Sequence, residues 1–217
     1  MKKLPPWSHT HLSTYDICPK QYYHKFIAKD LPREKTEQMT WGIAVHEGFE
    51  QRLKHKRPLP AEMTKYEKYA AALENLPIHV EANLGIRQDG TACDFFAKDV
   101  WGRGKADVAV IYPPRALIVD WKTGKRREDA SELETLAVLL KARFQEVTTF
   151  KGSYVWLQDM AMGQEHDVSA TDKTLERVRR QQAEMQHNLD TEFWPEKQGP
   201  LCGWCPVISC RFNRRGK

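Results

Sequence analysis

Apolar positions along the chain change period twice. Before residue 78 they recur at three- and four-residue spacing, which predicts helices over 14–28, 41–55 and 61–75. Ser13 and Thr40 are the expected N-caps of the first two, and Pro58 and Pro60 punctuate the chain before the third. From 78 to 122 the apolar residues gather into short β-branched runs, predicting strands over 78–86, 92–98, 105–112 and 116–122. A helix over 129–147, strands over 152–158 and 164–169, and a helix over 172–187 capped by Thr171 complete the pattern. Helices, then a meander, then a helix returning to a further strand describe one α/β domain with a mixed central sheet flanked by helices. Within it, 1–77 is a helical part, 78–170 the sheet and its helix, and 171–217 a last helix and tail.

A chain of 217 residues is long enough for one sizeable core, and its net charge of +5 is compatible with nucleic acid without requiring it. No apolar run is long enough to span a membrane, and the opening residues lack the apolar segment of a secretory signal. The expected location is therefore the cytoplasm, with no membrane partner. In that compartment cysteines are more often ligands or catalysts than disulfides.

The chemistry concentrates around two strands. Asp107 lies in Gly104-Lys105-Ala106-Asp107, and Asp120 and Lys122 end the apolar run 116–119. A hairpin folded about residue 114, at Pro113-Pro114-Arg115, sets position 107 opposite 121 and hence Asp107 beside Asp120. Lys122 shares a face with Asp120, two residues away. Two carboxylates and a lysine on one face suit metal-dependent phosphodiester hydrolysis, in which a cation activates water and the lysine orients it or offsets developing charge.

Four of the five cysteines suggest a second site. Cys202, Cys205 and Cys210 form C-x2-C-x4-C, and Cys18, followed by proline like Cys205, is the best fourth ligand. Four thiolates suit either zinc or an iron–sulfur cluster, and spacing does not choose between them. Cys93, alone in an expected strand, reads as a small buried hydrophobe.

Taken in order, these segments resemble the PD-(D/E)XK nucleases of the RecB-like group, in particular their iron–sulfur members. These include the CRISPR-adaptation nucleases, AddB-type nuclease domains and free-standing phage proteins. The resemblance rests on Cys18-Pro19, on Gly42-Ile-Ala-Val-His46 as a G-x-x-x-H element, on Gly104 to Asp107 as G-x-x-D, on Asp120-Trp-Lys122-Thr-Gly-Lys125 as D-x-K-T-G-K, and on the terminal cysteines. It implies that His46, Asp107 and Asp120, with the Trp121 carbonyl, bind Mg2+ or Mn2+, and that Lys122 is the catalytic lysine. Glu81 falls where relatives often carry a strand glutamate, either as a further acid or as an exposed charge. The resemblance also implies a structural 4Fe–4S cluster on Cys18, Cys202, Cys205 and Cys210, with zinc as the alternative. The expected substrate is DNA, single-stranded or with free ends, cut as by an exonuclease, in a bacterial or phage-infected cell. Protein partners would come from recombination, replication or CRISPR-related machinery.

One segment departs from the family. Where relatives carry Q-x-x-x-Y on the helix after the lysine strand, this chain has Glu132 and Leu136. A leucine supplies no phenol, and a glutamate repels phosphate unless it binds metal or is neutralised. The alternative that follows is a catalytically silent DNA-binding or assembly module retaining the fold. For DNA contact the candidates are Lys125, Arg126 and Arg127 after the motif and Arg177, Arg179 and Arg180 on the last helix, the latter group equally readable as a solvated face. Trp41 and Trp121 are candidates for base stacking, although tryptophans at such spacings more often build the core.

Overall fold

The computed structural model describes residues 3–32, 35–127 and 129–214. They fall into two compact units, one of the described residues within 35–174 and one of 3–32 with 175–214.

The larger unit is built on a seven-stranded sheet ordered β2-β1-β3-β4-β5-β6, with β7 also pairing with β5. Its strands are β1 (Ile78–Ile86), β2 (Ala92–Cys93), β3 (Gly102–Tyr112), β4 (Arg115–Lys122), β5 (Thr149–Trp156), β6 (Ala161–Met162) and β7 (His166–Asp167). Only β4 and β5 run parallel; they are joined by the crossover helix α5 (Ser131–Arg143), as a parallel connection requires. The result is a mixed α/β fold with a mostly antiparallel sheet. Helix α3 (Glu37–His55) lays Val45, Phe49 and Leu53 on the sheet, one turn apart. There they meet Val80, Val108, Val119 and Val155, and Phe49 stacks on Trp121 at a ring separation of 4.1 Å. Helix α5 takes the other parity of β5, its Leu133 closing over Gly152.

Several expected boundaries move, each for a local reason. Helix α3 begins earlier because Thr36, not Thr40, accepts the capping hydrogen bond, from the Met39 N–H at 3.2 Å. The expected third helix tightens into a 3-10 turn (Ala61–Tyr66) followed by the short α4 (Glu67–Ala71). Strand β2 stops at Cys93, because 94–100 fold into successive turns closed by Ala97 N–H to the Asp94 carbonyl and Val100 N–H to the Ala97 carbonyl. Strand β6 has no counterpart among the expected elements. In the central hairpin, paired residues run from Tyr112↔Arg115 to Val108↔Val119 about a two-residue Pro113-Pro114 turn with a cis peptide bond. Position 107 is thus level with Asp120 itself rather than with 121.

In the smaller unit the expected helix over 14–28 is divided. Ser8, not Ser13, caps α1 (His9–Ile17), accepting from the His11 N–H at 3.4 Å. Cys18 then turns extended, as a residue before proline does, and Pro19 opens α2 (Pro19–Tyr22), which continues as a π-helical turn, Tyr23–Ala28. Most of α6 (Thr171–Asp190) belongs to this unit. Tyr15, Tyr22 and Met185 are its buried centre, with Phe26 and Trp194 packed against them, and Asn188 donates to the Tyr15 hydroxyl at 2.8 Å. Among the described residues no helix is long and apolar enough to cross a membrane.

Candidate active site

Strands β3 and β4 part after the Val108↔Val119 pair, and the carboxylate of Asp107 fills the opening. Its Oδ2 accepts the Trp121 backbone N–H at 2.8 Å, so a side chain takes over where the strand ladder ends. On the other side of β3, Glu81 stands opposite Asp107 at a break in the β1–β3 ladder, with φ of 50°. A left-handed glutamate costs roughly 1–2 kcal/mol, and such strain concentrates where a side chain must be aimed for function. The break also changes the sheet's facing. Val108 packs toward α3, whereas a Cβ at Gly104, of the same parity, would meet Leu136 and Leu139 of α5.

His46 completes this group. The core stripe of α3 pins Phe49 on Trp121, which leaves His46 at the margin, its Nδ1 3.1 Å from Asp107 Oδ1 and 3.5 Å from Glu81 Oε1. Ligand atoms of His46, Glu81 and Asp107 lie within 4.8 Å of one another, close enough to share one cation, and are the only such trio among the described residues. Burial pulls the His46 pKa down, but hydrogen bonds to Asp107 and Glu81 outweigh it and raise the pKa to about 10. Glu81 is held below the usual carboxylate range: burial raises it, but His46 and Lys105 together lower it further. Lys105, two residues from Asp107, forms an ion pair with the Glu81 carboxylate.

Asp120 lies outside that trio. It is 4 % exposed, and its Oδ2 is 2.7 Å from the Lys122 ammonium, in ion-pair reach but off the hydrogen-bond direction. Burial first, and then the charge of Asp107, push its pKa well above the normal value. Lys122 bridges outward to Glu132 of α5 at 2.7 Å and sits 5.2 Å from the centre of the Tyr154 ring. Burial disfavours the ammonium, but the charges of Asp120 and Glu132 prevail and hold its pKa above the normal lysine value. Glu132 is therefore neutralised by the lysine. Leu136 is core, 5 % exposed; the phenol near this lysine is Tyr154, whose hydroxyl donates to the Asp129 carbonyl at 2.8 Å. Sequence reasoning missed Tyr154 and Lys105. The second was legible in its i, i+2 relation to Asp107; the first depends on the crossover that sets β5 beside β4.

Trp121 is 2 % exposed and is a core residue rather than a stacking platform, while Trp41 is half-buried and packs against the same cluster. Lys125, Arg126 and Arg127 form an exposed loop after β4, and Arg177, Arg179 and Arg180 are exposed on α6.

In the smaller unit Cys18, Cys202, Cys205 and Cys210 line one cavity of ≈ 300 Å³. No three of the described cysteine sulfurs come within 4.8 Å of one another, so they are not gathered as a single ion would hold them. The Lys197 N–H points at Cys18 Sγ from 3.5 Å and the Gly199 N–H at Cys202 Sγ from 3.3 Å. Burial raises the Cys205 thiol pKa against a hydrogen bond from the Val207 backbone, and Cys18, Cys210 and Cys202 add to the rise. Asn213 braces the loop, donating to the Cys205 and Val207 carbonyls at 2.8 and 2.9 Å. Cys93 is in the other unit, half-buried, its thiol pushed up by burial.

The site thus sets three ligand atoms able to share one cation beside a buried carboxylate and its lysine. The model of the PD-(D/E)XK nuclease superfamily matches residues 6–109, a span that takes in His46, Glu81 and Asp107 and stops before Asp120 and Lys122. Among solved structures, one from Eubacterium rectale described as a "Putative exonuclease" shares the fold at a TM-score of 0.56 and 15% identity, covering 94% of this chain and 88% of that one. The crystal structure of SSO0001 aligns at a TM-score of 0.47 and 12% identity, over 98% and 89% of the two chains. No curated protein matches the sequence.

Proposed function

We propose that the protein is a metal-dependent deoxyribonuclease of the RecB-like type, acting on single strands or DNA ends as an exonuclease, with a structural 4Fe–4S cluster. The observation that carries the catalytic reading is the convergence of His46, Glu81 and Asp107 within 4.8 Å beside the Asp120–Lys122–Glu132 chain of charges. Mg2+ or Mn2+ held by His46, Asp107, Asp120 and the Trp121 carbonyl would supply Lewis-acid and water-activating chemistry. An imidazole among the oxygen ligands favours Mn2+. Glu81 adds a further acid to the same site. Lys122, kept as an ammonium by two carboxylates, serves as a hydrogen-bond donor to the attacking water or a phosphate oxygen, not as a base. Tyr154 and Glu132 fix its direction.

Exonuclease action has the support of the fold shared with the Eubacterium rectale protein so described. For the cluster, the support is one cavity lined by four thiols with backbone N–H groups aimed at two of the sulfurs. Sulfurs spread around a cavity suit a cluster better than a single zinc, whose four ligands at about 2.3 Å would draw together. Lys20 and Arg211 both hold Glu196 at 2.6 Å, tying the Cys18 segment to the Cys210 segment.

The experiment is cleavage of end-labelled single- and double-stranded DNA by anaerobically purified protein with Mn2+ or Mg2+, beside Asp120→Ala and Lys122→Ala. Metal-dependent products absent from both variants are expected, and the ladder reads out polarity. Wild-type protein no more active than the variants, yet still binding DNA, would replace this reading with the silent binding module.

A further inference from the structure

Beyond the acidic centre, one feature of the larger unit stays unexplained by packing: Phe96, 81 % exposed, on the loop between β2 and β3. Isolated exposed apolar residues are ordinary, but this ring is held in place. It meets Phe95 edge-on, with ring centres 4.9 Å apart at 76°, and the Arg103 guanidinium lies 5.0 Å from the Phe95 ring and 6.0 Å from that of Phe96. The loop is pressed to β1 so closely that a Cβ at Gly85 would come within 2.8 Å of the Cys93 carbonyl and 2.9 Å of that of Asp94.

Its position relates it to the chemistry. Continuing the β3–β4 register sets Lys122, the last residue of β4, level with Lys105. The pairs Gly85↔Arg103 and Ile86↔Gly102 therefore lie past the end of β4, on an arm that extends beyond the end of the sheet carrying Lys122. Arg103 is four residues from Asp107 on the same strand, about 13 Å at ~3.3 Å per residue, a span of a few nucleotides. Near Phe96 in the chain, Asp94, Lys98 and Asp99 are exposed, the last engaged by Arg87 at 2.6 Å. One exposed ring backed by a second, with charged residues near it in the chain, is not the contiguous apolar patch that a protein partner covers. It offers a π-face beside a guanidinium, which is how bases of an unpaired strand are held without sequence preference.

We propose that Phe96, braced by Phe95 and Arg103, is a stacking platform for a base of the single-stranded DNA substrate, a few nucleotides from the bond cut at Asp107 and Asp120. This rests on the nuclease reading above. The test is the affinity of the full chain for a fluorescent single-stranded oligonucleotide, in an Asp120→Asn background that leaves bound DNA uncut. A duplex of equal length is measured alongside. Phe96→Ala is expected to weaken single-strand binding about five-fold or more, with Phe96→Leu similar and Phe96→Trp restoring it. Duplex affinity and the melting temperature should stay unchanged. Arg103→Gln is expected to weaken binding and also to lower the salt dependence of log K, while Phe96→Ala leaves that slope alone. Single-strand affinity unchanged in Phe96→Ala, or lost equally in Phe96→Trp, would overturn the platform while wild-type cleavage keeps the nuclease standing. A wild type that neither binds nor cuts DNA would remove both.

Discussion

At the scale of single residues, the candidate site carries an electrostatic cost to the fold. Asp120 is buried with its pKa raised by burial and by Asp107. A carboxyl whose folded-state pKa lies above its unfolded value is disfavoured in its charged form, so its cost to the fold grows as pH rises through that window. Asp120→Asn should therefore raise the melting temperature of the metal-free protein at neutral pH while abolishing cleavage. Scanning calorimetry in EDTA checks this, and a lowered melting temperature would refute it. His46 has the opposite sign. Its pKa is raised to about 10, so its ion pairing with Asp107 and Glu81 contributes fully below pH ~6.5 and fades as pH climbs toward 10. The gap in melting temperature between wild type and His46→Gln, in EDTA, should narrow over that range. Glu132 makes a 2.7 Å contact with Lys122, and each charge offsets the other. Glu132→Gln should lower kcat more than KM, since it loosens the lysine rather than the substrate; an unchanged kcat would make the contact incidental.

At the scale of elements, the close approaches matter more than propensity. The arm of β1 and β3 depends on Gly85, where an added Cβ meets two backbone carbonyls rather than a flexible side chain. Gly85→Ala should cost about 1–3 kcal/mol through overpacking, measurable by urea unfolding, and should loosen the 94–100 loop. Much of this level was legible beforehand. The period change at residue 78 located β1 at its observed limits, and the Pro113-Pro114 turn located the hairpin within one residue. The misplaced boundaries were those decided by competition between nearby caps, as at Ser8 and Thr36, or by a proline read too lightly, as at Pro19.

At the scale of the whole molecule, the two candidate sites belong to different units, and they should fail separately. Replacing Cys205 with serine should remove any visible absorption of anaerobically purified protein and destabilise the smaller unit, leaving its loop to the Asn213 hydrogen bonds and the Glu196 ion pairs. Colourless wild-type protein carrying stoichiometric zinc would return the zinc alternative. Local motifs pointed to most of the candidates: His46, Asp107, Asp120 and Lys122 in one unit and four cysteines in the other, with Glu81 placed only by its position on the strand. Such motifs are visible because metals and phosphates demand particular side chains at short spacings. What local sequence could not hold is which groups face which. That His46 meets both Glu81 and Asp107, that Lys122 reaches Glu132, and that Tyr154 rather than a helix residue lies beside that lysine all depend on strands splaying and a helix crossing over. Sequence by itself determined the chemistry available and the order of elements. Tertiary structure decided its direction, because contacts between residues far apart in the chain are set by packing and register, which no local pattern encodes.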